Sequence, residues 1–335
     1  MQADTERPAV MVYVNGDALG DSLLKLPALM ALRSAFPGHH ITWFSGRGKS
    51  IFAGKFAPLV AGAIDSVQDQ ISLGVSWREL LVSPPGNHCF YDTIIDTQSF
   101  IRTTLILKKV PHNLFISPTV AFFFSDRKPA RPGKQTGPVY ERILQLVQLA
   151  CGRRIEPDFS IHLPEHYHAI AMTLLPDGHQ YIGFAPGAGQ RIKCWPLDRF
   201  IEIGRRQSRH GRQPVFFLGP QEKDWVSTIR AALPDALFPE QTEIAQATGG
   251  PLLTIALAGR VLAGVANDSG TGHIMAIAGR PLISLFGPSN VEKFAGDYPN
   301  KKIISAGRYG GTGMHLIPVD DVSNELDLLL NKAMT

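Results

Sequence analysis

The sequence predicts an α/β protein with two doubly wound domains. First, a chain of 335 residues is longer than one ordinary hydrophobic core requires. Second, in both halves short apolar runs typical of buried strands alternate with segments whose apolar residues recur at helical spacing. Third, small polar residues follow several of these runs directly before a helix. Alternating strands and helices form parallel sheets, so we expect two such halves facing each other across a ligand cleft at the carboxyl ends of the strands.

In the first half, four apolar runs predict strands and three periodic segments predict helices. The expected strands are residues 10–14, 40–44, 91–96 and 114–116, and the expected helices are residues 22–35, 101–109 and 140–151. The apolar run 120–124 is too short to cross a membrane. We expect it to be buried as a strand, although it could instead touch a bilayer or line an acceptor groove. Residues 125–138 are rich in Pro, Gly, Lys and Arg and predict a mobile loop.

The second half repeats the alternation after a linker that we place within residues 152–164. The expected domains are therefore residues 1–155 and residues 156–335. The expected strands are residues 181–185, 214–218, 261–265 and 281–286. The expected helices are residues 197–207, 223–233 and 321–332, together with one that begins at Thr271. The glycine-rich segment 307–313 predicts a flexible surface loop, with a lid over a nucleotide as the alternative.

Composition excludes several classes of protein. A net charge of +4 is only mildly basic and does not indicate a dedicated nucleic-acid binder. The three cysteines are far apart and show no C-x-x-C spacing, so we expect neither a disulfide framework nor a zinc site. The polar first residues predict no signal peptide, and no run of about 18 apolar residues is present. These features predict a cytoplasmic protein.

The most informative segment is 266–273, which follows a predicted strand and precedes a predicted helix. Such a loop presents the backbone N–H groups of Ser269, Gly270 and Thr271 to an anion, at the positive end of the helix dipole. Asp268 and His273 add side chains that could bind sugar hydroxyls. The alternative is an ordinary connection in which Ser269 or Thr271 caps the helix.

A second loop of this kind, residues 185–196, lies in the same half. Gly187 and Gly189 permit close backbone approach, and Lys193 offers a cation for a diphosphate. Arg191 could act in the same way or be solvated. Glu222, near the start of another helix, is a candidate for binding a ribose or a base edge, or else for pairing with the helix dipole. The order of residues differs from that of a P-loop, which disfavours an NTPase.

In the first half, the turn 15–21 follows the first predicted strand and lacks the dinucleotide-binding G-x-G-x-x-G spacing. Gly20 allows a tight bend, and Asp21 at the helix start could accept a proton from a substrate hydroxyl. The alternative is that Asp21 only caps the helix. Asp17, four residues earlier, is interpreted as a turn residue.

Basic residues are concentrated between positions 102 and 134, with Asp126 as the one acid among them. Such a run is usually a solvated face. The functional alternative is a surface for an anionic acceptor, such as a phosphorylated or carboxylated glycolipid, with Arg102, Arg127 and Lys128 as contacts.

Taken together, these segments resemble glycosyltransferase family 9, whose best-known members are the ADP-heptose:lipopolysaccharide heptosyltransferases. Residues 20–37 are similar to the family's opening GD…LPAL…FP block, and residues 95–98 to its IDxQ strand end. Residues 193–196 resemble its K-x-W-P element. Residues 267–273, followed by 279–288, resemble its most specific block.

The resemblance implies a GT-B fold of two Rossmann-like domains, the first binding the acceptor and the second the nucleotide sugar. It implies an inverting transfer without a metal ion or other cofactor, with ADP-heptose as the donor and a glycan or glycolipid such as the lipopolysaccharide inner core as the acceptor. Asp21 would match the catalytic base, Lys193 the residue that binds the donor phosphates, and Asp268 the residue that contacts the donor sugar. Ser269, Gly270 and Thr271 would supply the diphosphate amides, and Gln98 would lie toward the acceptor.

The sequence departs from the family pattern at three places and leaves two other functions open. Asn15 stands where many members carry Lys or Arg, Ala188-Gly189 replaces hydroxyl residues, and Thr271-Gly272 replaces a commoner pair. The alternatives are a nucleotide-sugar epimerase of GT-B shape, which needs no acceptor, and a non-catalytic nucleotide-sugar-binding protein. An anionic glycolipid acceptor would bring the protein into peripheral contact with the inner membrane, and we expect no nucleic-acid partner.

Overall fold

The computed structural model describes residues 7–17, 19–82, 89–294 and 298–334. Residues 1–6, on which part of the signal-peptide argument rests, lie outside this range. The chain divides into two compact units, residues 1–160 (unit 1) and 161–335 (unit 2). Each described unit contains one five-stranded parallel sheet with helices between its strands. None of the described helices is long and apolar enough to span a bilayer.

Unit 1 is built on a sheet of strand order β3-β2-β1-β4-β5. Its strands are β1 (Ala9–Val14), β2 (His40–Ser45), β3 (Ser66–Gln68), β4 (Tyr91–Asp96) and β5 (His112–Ile116). Its helices are α1 (Leu19–Leu23), α2 (Leu26–Met30), α3 (Leu32–Ala35), α4 (Ala57–Val60), α5 (Ile101–Leu107), α6 (Thr119–Phe122) and α7 (Val139–Cys151), and short 3₁₀ turns cover Ile51–Ala53 and Trp77–Leu80. The central strand β1 pairs with β2 and β4, and its residues 10–14 are fully or almost fully buried.

The single helix predicted over residues 22–35 is wrong, because the chain forms three short helices there. Pro27 lies in the first turn of α2, where it has no N–H to donate to the preceding turn. The backbone therefore tightens before it, and the N–H of Lys25 donates to the carbonyl of Ser22, at 3.0 Å. This break turns Lys25 back toward the loop that follows β1.

The expectation of a buried strand at 120–124 is also wrong. Residues 119–122 form a single turn, and Val120, Ala121 and Phe122 have positive φ angles of 51°, 51° and 66°. Phe122 is buried, whereas Val120 and Phe123 are exposed. Left-handed backbone is costly for residues with a side chain, so the anchored Phe122 and the bond from its N–H to Pro118 O hold this turn.

Unit 2 has the same architecture, with strand order β10-β9-β8-β6-β7. Its strands are β6 (Tyr181–Ala185), β7 (Gln213–Phe216), β8 (Ala263–Asn267), β9 (Leu282–Phe286) and β10 (Lys301–Ser305). Its helices are α8 (Glu165–Leu174), α9 (Leu197–Arg209), α10 (Trp225–Ala232), α11 (Glu243–Thr248), α12 (Pro251–Ala258), α13 (Gly270–Ile277), α14 (Val291–Phe294) and α15 (Val319–Met334). The 3₁₀ turns are Arg191–Lys193, Pro220–Glu222, Pro239–Gln241, Ala306–Tyr309 and Met314–Leu316.

Two details of unit 2 differ from the prediction. Strand β8 runs to Asn267, two residues beyond the expected end, because residues 264–267 pair in register with β9. The segment 307–313 lies at the surface, as predicted, but it includes part of a 3₁₀ turn and makes specific contacts. Its Thr312 carbonyl packs so closely on Gly287 that a Cβ atom there would lie 2.9 Å away, and the Tyr309 hydroxyl donates to Asp321 of α15, at 2.5 Å.

Candidate functional site

Each sheet has one topological switch point, where the helices that follow two neighbouring strands pack on opposite faces of the sheet. In unit 1 this point lies between β1 and β4, and in unit 2 between β6 and β8. Ligands of doubly wound proteins bind at such points, at the carboxyl ends of the strands. Asp21 lies in the short helix that follows β1, and Gln98, Lys193 and Asp268 lie in the connections after β4, β6 and β8 respectively. The topology therefore places the principal candidates where a doubly wound fold binds its ligands.

In unit 2, the buried side chain of Asn267 ties the two candidate loops together. Its Oδ1 accepts a hydrogen bond from the backbone N–H of Trp195, at 3.1 Å, and its Nδ2 donates to the Pro186 carbonyl, at 2.7 Å. Both polar ends of this fully buried amide are thus satisfied. The loops after β6 and β8 consequently form one rigid structure.

Lys193 and Asp268 form an ion pair between these loops, with Nζ and Oδ2 3.3 Å apart. The two partners differ in exposure, since the Asp268 side chain is 5% exposed and that of Lys193 is 30% exposed. His273 Nε2 lies 3.6 Å from Asp268 Oδ1. Burial, followed by the positive charges of Lys301 and Lys193, lowers the pKa of His273 to about 4, although Asp268 opposes the shift. At neutral pH the imidazole is therefore uncharged.

The amino terminus of α13 shows that a capping role and an anion-binding geometry coexist. Ser269 is the N-cap, and its hydroxyl accepts a hydrogen bond from the N–H of Gly272, at 3.1 Å. Within the described chain, the N–H groups of Gly270 and Thr271 have no hydrogen-bond acceptor. A Cβ atom at Gly272 would lie 2.3 Å from the Asn267 carbonyl, so only glycine fits there. Two free amides thus point outward from the helix end beside the Lys193–Asp268 pair.

Glu222 packs across the loop that follows β6. A Cβ atom at Gly187 would lie 2.6 Å from the Glu222 carboxyl group, and one at Gly219 would lie 2.9 Å from its Oε2. The two glycines therefore allow this carboxylate to approach the backbone, and the helix-dipole alternative for Glu222 is not needed to explain its position. Gly189 has open space around it. Arg191 stacks on Trp225, with its guanidinium carbon 5.1 Å from the ring centroid, rather than joining Lys193.

In unit 1, Asp21 lies in the first turn of α1 and bonds to a buried lysine. Its Oδ2 is 2.6 Å from Lys25 Nζ, and its side chain is 45% exposed, against 6% for Lys25. Lys25 Nζ also donates to the Gly16 carbonyl, at 2.8 Å, and to Asp17 Oδ1, at 3.2 Å. Asp17 lies in the turn, as expected, but its carboxylate is buried and accepts further bonds from Trp43 Nε1 and Ser50 Oγ, at 2.8 and 2.6 Å.

Sequence reasoning missed Lys25 and Asn267, and it underestimated Asp17. The spacing of Asp17, Asp21 and Lys25, four residues apart each time, was the available signal for the first cluster. This signal was obscured because Asp17 and Asp21 were assigned to the turn 15–21 and Lys25 to a continuous helix over residues 22–35. For Asn267 the expected strand ended too early, so its buried side chain could not be anticipated.

At the end of β4, Asp96 is fully buried and forms no ion pair within the described residues. Its carboxylate accepts hydrogen bonds from Thr104 Oγ1, Ser117 Oγ and the N–H of Gln98, at 2.7 to 3.0 Å. Burial raises the pKa of Asp96 to about 6, although these donors oppose the shift. This network fixes the backbone at Gln98, whose side chain is partly exposed. Arg102 lies on the helix that follows, and its Nε is buried without a partner among the described residues.

The other two acceptor candidates lie elsewhere in unit 1. The Arg127 guanidinium donates to the carbonyls of Leu149 and Ala150, at 3.2 and 2.8 Å, and so satisfies the carboxyl end of α7. Lys128 Nζ lies 6.0 Å from the ring centroid of the exposed Phe123. The structure thus places Arg127 and Lys128 beside the left-handed turn and α7, and the Gln98 carbonyl also contacts this turn, since it accepts a hydrogen bond from Thr119 Oγ1 at 3.2 Å.

Comparison with known proteins agrees with this architecture. The family model for glycosyltransferase family 9 (heptosyltransferase) matches residues 87–313, which is more than half of the chain. Lipopolysaccharide heptosyltransferase 1 of Pseudomonas aeruginosa is 25% identical over 322 residues, covering 88% of this chain and 82% of the relative.

Two solved structures share the fold. The glycosyl transferase family 9 protein of Veillonella parvula superposes with a TM-score of 0.69 at 21% identity, covering 99% of both chains. The Escherichia coli ADP-heptose LPS heptosyltransferase II superposes with a TM-score of 0.65 at 19% identity, covering 98% of this chain and 100% of that one. The prediction of two Rossmann-like domains of the GT-B class is confirmed. The chain therefore belongs to glycosyltransferase family 9 and is a glycosyltransferase.

Proposed function

We propose that the protein transfers a heptose from ADP-heptose, with inversion, to an acceptor of the lipopolysaccharide inner core. The family and the heptosyltransferase names of its relatives support the sugar and the acceptor. The observation that carries the proposal is the cradle in unit 2, where the partly exposed Lys193 cation pairs with Asp268, and the free amides of Gly270 and Thr271 follow Asp268 at the start of α13. A cation and helix-start amides are the donors that a diphosphate requires.

In this proposal the donor diphosphate binds Lys193 and the loop amides, while the ribose meets Glu222 beside Gly187. Lys193 exchanges its contact with Asp268 for a phosphate oxygen. Asp268 and the neutral His273 then bind hydroxyl groups of the heptose. Preorganised donors at the diphosphate stabilise the negative charge that builds up as it leaves, which is the step at which such groups contribute most to catalysis.

Asp21 is the proposed general base. The acceptor hydroxyl oxygen forms a bond to the anomeric carbon of the heptose, the bond from that carbon to the phosphate oxygen breaks, and ADP leaves with the electron pair. The hydroxyl proton passes to Asp21. The Asp21 carboxylate, with Oδ2 held by Lys25 Nζ at 2.6 Å, suits a late transfer from an oxygen already made acidic by bond formation.

We also propose that unit 1 meets an anionic membrane surface through the left-handed turn 118–124. Its exposed Val120 and Phe123 are flanked by Lys128 and by Lys108, whose Nζ donates to the Phe124 carbonyl, at 3.2 Å. Apolar side chains ringed by cations suit an interface with acidic lipids. Sedimentation with phosphatidylglycerol vesicles should fall for Phe123→Ser and not for Leu328→Ser, an exposed leucine of unit 2. Equal binding by both variants would contradict this contact.

The test of the function is acceptor-dependent release of ADP from ADP-heptose. We expect release only when a heptose-free inner-core glycolipid is present, and Asp21→Ala should abolish transfer while ADP still binds in calorimetry. An epimerase would convert the nucleotide sugar without the acceptor, and a binding protein would release no ADP. Either result would overturn the proposal.

A further inference from the structure

Lys25 is buried, which is rare for a lysine and needs a reason. Only 6% of its side chain is exposed, and its Nζ is surrounded by the Gly16 carbonyl and the carboxylates of Asp17 and Asp21. All three ammonium hydrogens are thus accounted for. Burying an ion pair often brings little stability compared with apolar packing, so stability alone is a weak explanation for this arrangement.

The two carboxylates around Lys25 differ in their other partners. Asp17 is buried and also accepts hydrogen bonds from Trp43 and Ser50, so its position is fixed by three side chains. Ser50 is held in turn by a bond from its N–H to Asp69, at 2.9 Å. Asp21, in contrast, has Lys25 as its only side-chain partner among the described residues, through one oxygen, Oδ2. The fixed side is therefore Asp17, and the side open to a ligand is Asp21.

We propose that Lys25, anchored by Asp17, is a positioning residue that holds the Asp21 carboxylate in one orientation for the acceptor hydroxyl. This inference rests on the proposed role of Asp21 as the base. With Oδ2 bound to Lys25, the Oδ1 atom remains for the acceptor hydroxyl. The break before Pro27 is what brings Lys25 back into the loop, where a continuous helix would have left it on the surface.

The cation also sets the charge that an acceptor meets. Asp17, Lys25 and Asp21 together carry one negative charge, and without Lys25 they would carry two. A second negative charge would repel a phosphorylated or carboxylated acceptor. Lys25 therefore serves both the orientation of the base and the approach of an anionic substrate.

A double-mutant cycle on the full-length protein tests the inference. Lys25→Met should lower kcat roughly 10- to 100-fold, because a displaced base loses most of its advantage, and should leave the KM for the donor unchanged. In an Asp21→Asn background the same substitution should lower kcat less than about threefold, because there is no carboxylate left to position. Lys55→Met, an exposed lysine of the same unit, should leave kcat unchanged.

The outcomes separate this inference from the function on which it rests. An equal loss in both backgrounds, or no loss in either, would overturn the role of Lys25. Near-normal turnover by Asp21→Asn alone would instead show that Asp21 is not the general base. If Lys25→Met does not fold, the pair Asp17→Asn with Lys25→Met removes both buried charges and keeps acceptors for Trp43 and Ser50. That pair of substitutions should likewise lower kcat in the native background and have little effect on kcat in the Asp21→Asn background.

Discussion

The two candidate loops carry ion pairs of opposite arrangement. In unit 1 the cation is buried and the carboxylate is open, with Lys25 6% and Asp21 45% exposed. In unit 2 the carboxylate is buried and the cation is open, with Asp268 5% and Lys193 30% exposed. Both members of the first pair follow β1, whereas the second pair joins the segments after β6 and β8. Each pair thus lies at a strand that flanks the switch point of its sheet, and the two pairs expose opposite charges.

This difference indicates which chemistry each loop can perform. An open carboxylate can accept a proton from a hydroxyl, and an open ammonium group can bind a diphosphate. The buried partner in each pair fixes the open one and reduces the rotamer freedom that binding would otherwise cost. This difference supports the proposal that unit 1 supplies the group for proton transfer and unit 2 the group for donor binding.

The largest effect that would sharpen this comparison is expected from Asp268→Asn. The change keeps the shape of the side chain but removes its charge and some of its capacity to accept hydrogen bonds from the sugar. We expect kcat/KM for ADP-heptose to fall roughly 100-fold. The affinity for ADP alone should stay the same or rise, because Asp268 no longer competes with the diphosphate for Lys193. Equal losses for ADP and ADP-heptose would contradict a contact between Asp268 and the sugar.

Lys193→Ala should have the next largest effect, on binding itself. Losing one charged hydrogen bond to the diphosphate should weaken ADP binding about 10- to 100-fold in calorimetry. The matched control is Arg191→Ala, which removes a cation from the same 3₁₀ turn but one that stacks on Trp225. If both variants bound ADP equally well, the open cation of unit 2 would have no role in the donor site.

The smallest expected effect concerns Asp96. Unlike Asp21 and Asp268, this buried carboxylate has no cation paired with it among the described residues. Its pKa is raised to about 6 by burial, so folding favours its protonated form. That contribution to stability is complete below about pH 4 and is lost as pH rises through 6. Relative to the native protein, Asp96→Asn should therefore gain about 2 kcal/mol of unfolding free energy between pH 4 and pH 7. Urea unfolding at the two pH values measures this gain.

The exposed Glu165, in the first turn of α8, provides the control for that measurement. Glu165→Gln should show no comparable pH-dependent gain. A constant difference between Asp96→Asn and the native protein at both pH values would contradict the assigned cause.

Much of this molecule follows from its sequence. Alternating apolar runs and periodic segments predicted the two parallel sheets, and the polar residues at the strand ends predicted the loops that contain Asp21, Lys193 and Asp268. These predictions succeed because strand burial and the positions of glycine and small polar residues are local properties. The same reasoning gave Ser269 or Thr271 as the alternative helix cap, and the structure shows Ser269 in that position with two amides free beside it.

The errors arose where distant residues decide the outcome. The break at Pro27 was visible in the sequence, but only the fold shows that it buries Lys25 between two carboxylates. The run 120–124 has the composition of a strand, yet the anchored Phe122 and the short connection after β5 hold it in a left-handed turn. Asn267 bridges two loops about eighty residues apart, a contact that no local pattern encodes.

A crystal structure of the protein with ADP would test the division of labour between the two loops most directly. The account predicts that Lys193 Nζ leaves Asp268 and lies within about 3 Å of a diphosphate oxygen. It also predicts that Gly270 or Thr271 donates to the same group and that the pair of Lys25 and Asp21 is unchanged. A diphosphate bound at Lys25, or Lys193 still on Asp268 with ADP present, would contradict it.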